Sequence, residues 1–200
     1  MNLTFQNDEL KSSFFRDLRL IHDDLCSYAS AAAPYYTLNK QTDIPSVVAS
    51  LNQNAMFWNC VLGSMQTAVF VSLGRLHDKA KNHSHLTRYI KAMKNQDEDC
   101  KRAADELEAA IKRQSPFIEK ALHLRHNLFA HTNFHAPLIA AFGFEGFKID
   151  DLRSYWDDII VAMESCDLAM FGTIEHGPKF DRRLFSSISA ATESALPLSA

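Results

Sequence analysis

From Ile44 to Gly74 the sequence carries no charged side chain, and this run limits what the chain can fold into. It is long enough to cross a bilayer core of about 30 Å. Yet Asn52, Gln53, Asn54, Asn59, Gln66 and Thr67 interrupt it, and each would be costly to bury in hydrocarbon. The run is therefore predicted to be a long helix from about Pro45 to Lys81, at the centre of a bundle and wrapped by other helices. At 1.5 Å per residue its length would pass about 50 Å, so a bend is expected at Gly63 or Gly74. Asn52, Asn59 and Gln66 recur every seven residues and form one polar stripe. Such a stripe suits hydrogen bonding across a helix pair or a subunit interface, and equally a partly wet groove.

Helical spacing governs the rest of the chain. Leu10, Phe14, Leu18, Ile21, Leu25 and Tyr28 follow steps of three and four, which predicts a first helix from about Asp8 to Ala33, ending before Pro34. A short helix is expected over Leu86–Lys94 and another over Gln96–Arg113, with Cys100, Ala103, Ala104, Leu107, Ala110 and Ile111 inward. Ser115-Pro116 has the form of an N-cap followed by proline at the first helical position. Residues 133–148, with Pro137, Gly143 and Gly146, are expected to be a connection or a short hairpin. A final long helix is predicted from Asp150, as its cap, to about Gly172, burying Leu152, Tyr155, Trp156, Ile159, Ile160 and Met163. Beyond Arg183 the Ser/Ala/Thr-rich sequence is expected to fray. The predicted fold class is all-α: a bundle of four to five long helices in a single domain over residues 1–176, followed by a partly disordered C-terminal tail over 177–200.

With 46% hydrophobic and 22% charged residues, the chain has enough apolar surface for one sizeable core. Cys26, Cys60, Cys100 and Cys166 lie far apart, without the dense framework of small secreted domains. The N-terminal MNLTFQNDEL has acids where a signal peptide has a basic patch. Together these lead to the expectation of a cytoplasmic protein with reduced thiols and no membrane association. A net charge of −3 argues against a coat for bulk nucleic-acid binding. Charge is uneven, however: Arg75 to His126 holds 12 Lys and Arg against 8 Asp and Glu, and the remainder 9 against 16. That basic middle could hold phosphates locally; a solvated helix face accounts for it equally well.

The segment Leu124-Arg125-His126-Asn127-Leu128-Phe129-Ala130-His131 continues a helix whose buried face is marked by Ile118, Ala121, Leu122, Leu128 and Phe129. Arg125 stands where another apolar residue belongs. It cannot shed its proton, so it needs an anion, a carbonyl or an acceptor from a second subunit. His131 lies about 9 Å further along and roughly 240° around a regular helix. One straight helix therefore cannot aim both at one target; unwinding near Ala130, or two copies meeting at a symmetry axis, would. His123, Asn127 and His131 share a face, which places Asn127 to orient His131.

The string R125-H126-N127-L128-F129-A130-H131 resembles the Arg-polar-x(4)-His signature of the HEPN superfamily of helical ribonucleases, and its RxNLFAH form is especially similar to the abortive-infection U-type (AbiU2-like) branch. Ser72-Leu73-Gly74-Arg75-Leu76-His77-Asp78, followed by His85-Leu86-Thr87-Arg88, also resembles that branch, so the likeness spans roughly the first helix to residue 172. The resemblance implies a HEPN-like, dimeric helical bundle acting on RNA as a metal-independent endoribonuclease of toxin or phage-defence type. It implies Arg125 and His131 as catalytic residues, His126 and Asn127 as supporting or phosphate contacts, and Arg75 with Asp78 as a supporting ion pair at the cleft edge. The residue types fit: RNA supplies its own 2′-hydroxyl nucleophile, an imidazole with an ordinary pKa of about 6.5 moves protons, and a guanidinium holds developing charge. RNA, a second copy of the chain and an antitoxin protein are the expected partners.

Each of these residues also has a plainer use. Arg125 could pair with an acid of a neighbouring helix, His131 could answer the negative end of its helix, and Arg75 with Asp78 could form a helix-end salt bridge. His123, His126, His131 and His135 with Glu119 can be imagined around a metal, but no H-E-x-x-H or E-x-x-H pattern occurs, and neither metal nor cofactor is expected. No G-x-S-x-G elbow is present, and with 6 glycines in 200 residues there is no phosphate-cradling loop. The rival reading is a non-catalytic helical module that binds RNA, a nucleotide or a partner protein.

Overall fold

A computed structural model of the chain describes residue 5 and residues 7–77, 85–129, 148–172 and 180–196, with backbone alone over 126–129. Its eight helices among these residues are α1 (Asp8–Lys40), α2 (Pro45–Gln53), α3 (Ala55–His77), α4 (His85–Met93), α5 (Glu98–Arg113), α6 (Ser115–Phe129), α7 (Ile149–Phe171) and α8 (Leu184–Ala195). The all-α prediction holds for the described residues. Central to the bundle is α1, which packs on α3, α4, α7 and α8. The expected connection over 133–148 falls outside the described residues up to 147.

Asn7 starts α1, its side-chain oxygen accepting from the Leu10 amide at 2.8 Å. As the spacing predicts, Phe14, Leu18, Ile21, Leu25 and Tyr28 are buried. The predicted stop before Pro34 is corrected, because α1 runs through Pro34 to Lys40. An interior proline forfeits one hydrogen bond and crowds the preceding turn, at about 3 kcal/mol. Packing on both sides offsets this: Ala31, Ala32, Ala33 and Leu38 are buried, the Tyr35 hydroxyl accepts from Gln66 of α3 at 2.8 Å, and the Tyr36 ring meets Phe185 of α8.

The predicted Pro45–Lys81 helix is two helices, broken at Asn54 (φ −137°, ψ 58°) and not at either glycine. Consecutive amide side chains compete with the helix for backbone groups, which favours a break within Asn52-Gln53-Asn54. The expectation that this segment is wrapped throughout is also corrected. Val69, Phe70, Leu73 and Leu76 join the core, but Met56 is 82% and Phe57 54% exposed. By length and apolarity α3 is the one helix among the described residues that could cross a membrane; its C-terminal half lies inside the bundle. Of the three amides at heptad spacing, Gln66 alone is buried, bonding across to α1.

Two helices start earlier than expected, α6 by one residue and α7 by two. The chain passes from α5 to α6 at Gln114, whose carbonyl accepts from Ile118 and whose side chain reaches Asp158 of α7 at 2.6 Å. At the start of α7 the amide of Lys148 donates to Asp151 at 3.1 Å, while Asp150, predicted as the cap, bridges to Lys40 at 2.8 Å. Gly172 ends α7 with φ 69°, as predicted from its position. The Ser/Ala/Thr-rich sequence expected to fray forms α8 instead. Phe185 is fully buried there, and the Trp156 indole N–H donates to the Arg182 carbonyl at 3.2 Å, so two aromatic anchors outweigh a weakly patterned sequence.

The same α7 buries Asp167, whose Oδ1 has no hydrogen-bond partner among the described residues. Burial, with Glu164 nearby, pushes its carboxyl up to about 7. A folded value above the unfolded one makes the ionised group a liability, so this contribution worsens as pH rises from about 4 through 7. Asp167→Asn should therefore stabilise the fold at pH 8 by on the order of 2 kcal/mol and change little at pH 4, as read from thermal melts at both values.

Candidate functional site

Polar groups gather where the C-terminal turn of α3 meets α1, α4, α6 and α7. On α1, Asp17 and Asp24 sit seven residues apart within the apolar stripe, both buried. Each is met by a cation from another helix. Arg88 of α4 grips Asp17 through Nε at 2.8 Å and Nη2 at 2.6 Å, and His85 Nδ1 adds a contact at 3.2 Å. Burial pulls the Asp17 carboxyl upward, but the hydrogen bonds and charges of Arg88 and His85 outweigh it and hold the group below its ordinary range. Asp24 is met more weakly, by Arg75 Nη1 at 3.4 Å. Here burial wins over Arg75 and the carboxyl is raised.

The exposure of these pairs is lopsided. The Asp24 side chain is 7% exposed and that of Arg75 65%. Carboxylates thus point inward and guanidinia outward, so the face that solvent meets is cationic. Behind it, buried His77 shares a 2.7 Å hydrogen bond between Nε2 and the Tyr155 hydroxyl. Tyr155 packs on Tyr28 and Phe117, and burial keeps its phenol protonated. These rings fix the end of α3 against α7 and α6.

Arg125 enters from α6, half-buried. Its side chain lies across the α3 backbone at Gly74: a Cβ added to that glycine would stand 2.7 Å from Arg125 Cζ and 2.9 Å from Cδ, and would overlap Nη1. The fold therefore brings together Arg125 and the segment holding Arg75, two of the sequence-predicted site residues. Arg75 meets Asp24 of α1. Asp78 and His131 lie outside the described residues, as do the side chains of His126 and Asn127, and so does the unwinding expected near Ala130. Of the imagined metal ligands, Glu119 and His123 are described and exposed; His126, His131 and His135 fall outside in side chain or altogether.

Sequence reasoning missed Asp17, Asp24, His77 and Tyr155, and misread Gly74 as a hinge. For the two acids a weaker signal was present, since each stands three residues after a stripe residue, Phe14 or Ile21, and so on the same side of the first helix. For His77, Tyr155 and Gly74 the meaning lies wholly in residues far away in sequence.

Chemically, the arrangement offers fixed, permanently charged donors at a surface backed by buried acids, which suits phosphate oxygens. The model of a protein family described as AbiU2, of HEPN type, matches residues 13–184, from the second turn of α1 to the start of α8. No curated protein and no solved structure matches the chain.

Proposed function

Because the chain belongs to the AbiU2 family of HEPN-type helical domains, we propose that it is a metal-independent endoribonuclease of phage-defence or toxin type, working in the cytoplasm as a homodimer. RNA is the substrate, no cofactor takes part, and an antitoxin protein holds the activity in check. The observation that carries this reading is Arg125, a permanently charged side chain laid half-buried across α3 beside outward-facing Arg75. A guanidinium is a fixed, planar, permanently charged fork of the kind that suits phosphate oxygens.

In the proposed reaction the RNA 2′-oxygen attacks the adjacent phosphorus, forming one P–O bond as the bond to the 5′-oxygen breaks. His131 takes the 2′-hydroxyl proton, and the departing 5′-oxygen receives a proton from the partner subunit's His131. Arg125 stabilises charge on the non-bridging oxygens of the phosphorane. His126 and Asn127 steady the imidazole and the phosphate, while Arg75, with Asp78, holds the strand at the cleft edge. The products are a 2′,3′-cyclic phosphate and a 5′-hydroxyl end.

The expected result is that purified protein cleaves RNA in the presence of a metal chelator, that the new ends are 2′,3′-cyclic phosphates by mass spectrometry, and that expression slows bacterial growth. Intact RNA from a well-folded dimer, with no effect on growth, would replace this reading by that of a non-catalytic module binding RNA, a nucleotide or a partner protein.

A further inference from the structure

Helix α3 contains a glycine that its backbone does not need. Gly74 lies in the last turn but one of a continuous helix, and among the described residues only Gly172 has a positive φ. In a helix interior glycine is a poor choice, since it loses more conformational freedom on folding than any other residue. What does require glycine is the space above it. Cδ, Cζ and Nη1 of Arg125 all occupy the volume that a methyl group would take.

The place has a second property. It is within the final turns of α3, where backbone carbonyls lack helical partners and the helix dipole presents its negative end. A guanidinium laid near that end is favoured electrostatically. A side chain at position 74 would displace the Arg125 guanidinium from the volume it now fills.

We propose that Gly74 is a positioning residue: its bare backbone is the seat that sets the height and direction of the Arg125 guanidinium at the cleft. The catalytic half of this inference rests on the nuclease reading above, but the seat itself does not. Because the atoms displaced belong to the far end of a flexible side chain, an alanine at 74 should be accommodated by moving Arg125 rather than by unfolding α3. The guanidinium would then miss the phosphorane while still attracting RNA, and a displacement near 1 Å can cost about 100-fold in rate.

The test combines melting and cleavage for four proteins: wild type, Gly74→Ala, Arg125→Ala and the double variant. With Arg125 present, Gly74→Ala should lower Tm or leave it unchanged. In the Arg125→Ala background the same change should raise Tm by about 2–4 °C, because only the better helix propensity of alanine is then felt. Gly74→Ala alone should lose about 100-fold in kcat with KM nearly unchanged and its pH profile unshifted in shape. If Gly74→Ala fails to fold with Arg125 present but folds in the double variant, the reversal is seen in its extreme form and supports the seat. An equal rise in Tm in both backgrounds overturns it, as does wild-type turnover by Gly74→Ala. If the reversal appears while Arg125→Ala still cleaves RNA normally, the seat stands on the melts and the nuclease chemistry proposed for Arg125 falls.

Discussion

Arg125→Ala is expected to slow RNA cleavage by about a thousandfold, measured under single turnover in chelator, while Tm moves by less than about 4 °C. The two effects separate because of where the side chain lies. Its guanidinium is half-buried at the rim of the bundle rather than in the core, so truncation opens space toward solvent and leaves Phe117, Ile118, Ala121 and Leu124 in place. In the proposed reaction the charge acts on a phosphorane that gains negative character only in the transition state, so its loss should fall on kcat. Arg125→Lys keeps the charge but not the planar fork and should recover only part of the activity. Cleavage at the wild-type rate by a folded Arg125→Ala protein would remove the arginine from the chemistry.

The largest effect on stability is expected from Arg88→Ala, a loss of about 3 kcal/mol, or roughly 6–12 °C in Tm. Its partner, Asp17, is only 4% exposed in side chain, and among the described residues it keeps only His85 without the guanidinium. The pH dependence follows from the depressed carboxyl of Asp17. A folded value below the unfolded one means the contribution is fully present above about pH 4 and is lost as pH falls through the folded value. In Arg88→Ala burial acts on Asp17 with less opposition, so protonation relieves the variant earlier and its deficit should shrink between neutral pH and about pH 4. Replacing the pair together, Asp17→Leu with Arg88→Met, should recover most of the loss, since no charge is then stranded. A persistent deficit in that double variant would show that packing, not charge, is what Arg88 supplies.

Periodicity made much of this molecule legible before any coordinates. The stripe through Leu18, Ile21 and Leu25 and the inward faces of α5 and α7 all follow from local spacing, and local spacing is what a sequence displays. The failures share the opposite character. Whether Pro34 ends α1 depends on what Tyr35 and Tyr36 meet across the bundle, and whether residues 184–195 fray depends on a pocket for Phe185 built by α1 and α7. Arg125 could be singled out because a charge broke an apolar series, and Arg75 through likeness to a family. Gly74 could not be understood, because flexibility can be read from a glycine whereas the guanidinium resting on it is 51 residues away. Asp17 and Asp24 leave the apolar series of the first helix intact and lie beside it, so their burial is set by Arg88 and Arg75 of other helices and not by local spacing.

The contact of α8 with α1 joins segments near opposite ends of the described chain. During synthesis α1 leaves the ribosome early and waits with its Phe185 cavity open, since residue 185 is made more than 140 residues after Lys40. Closure of the bundle is thereby deferred until α8 has been made.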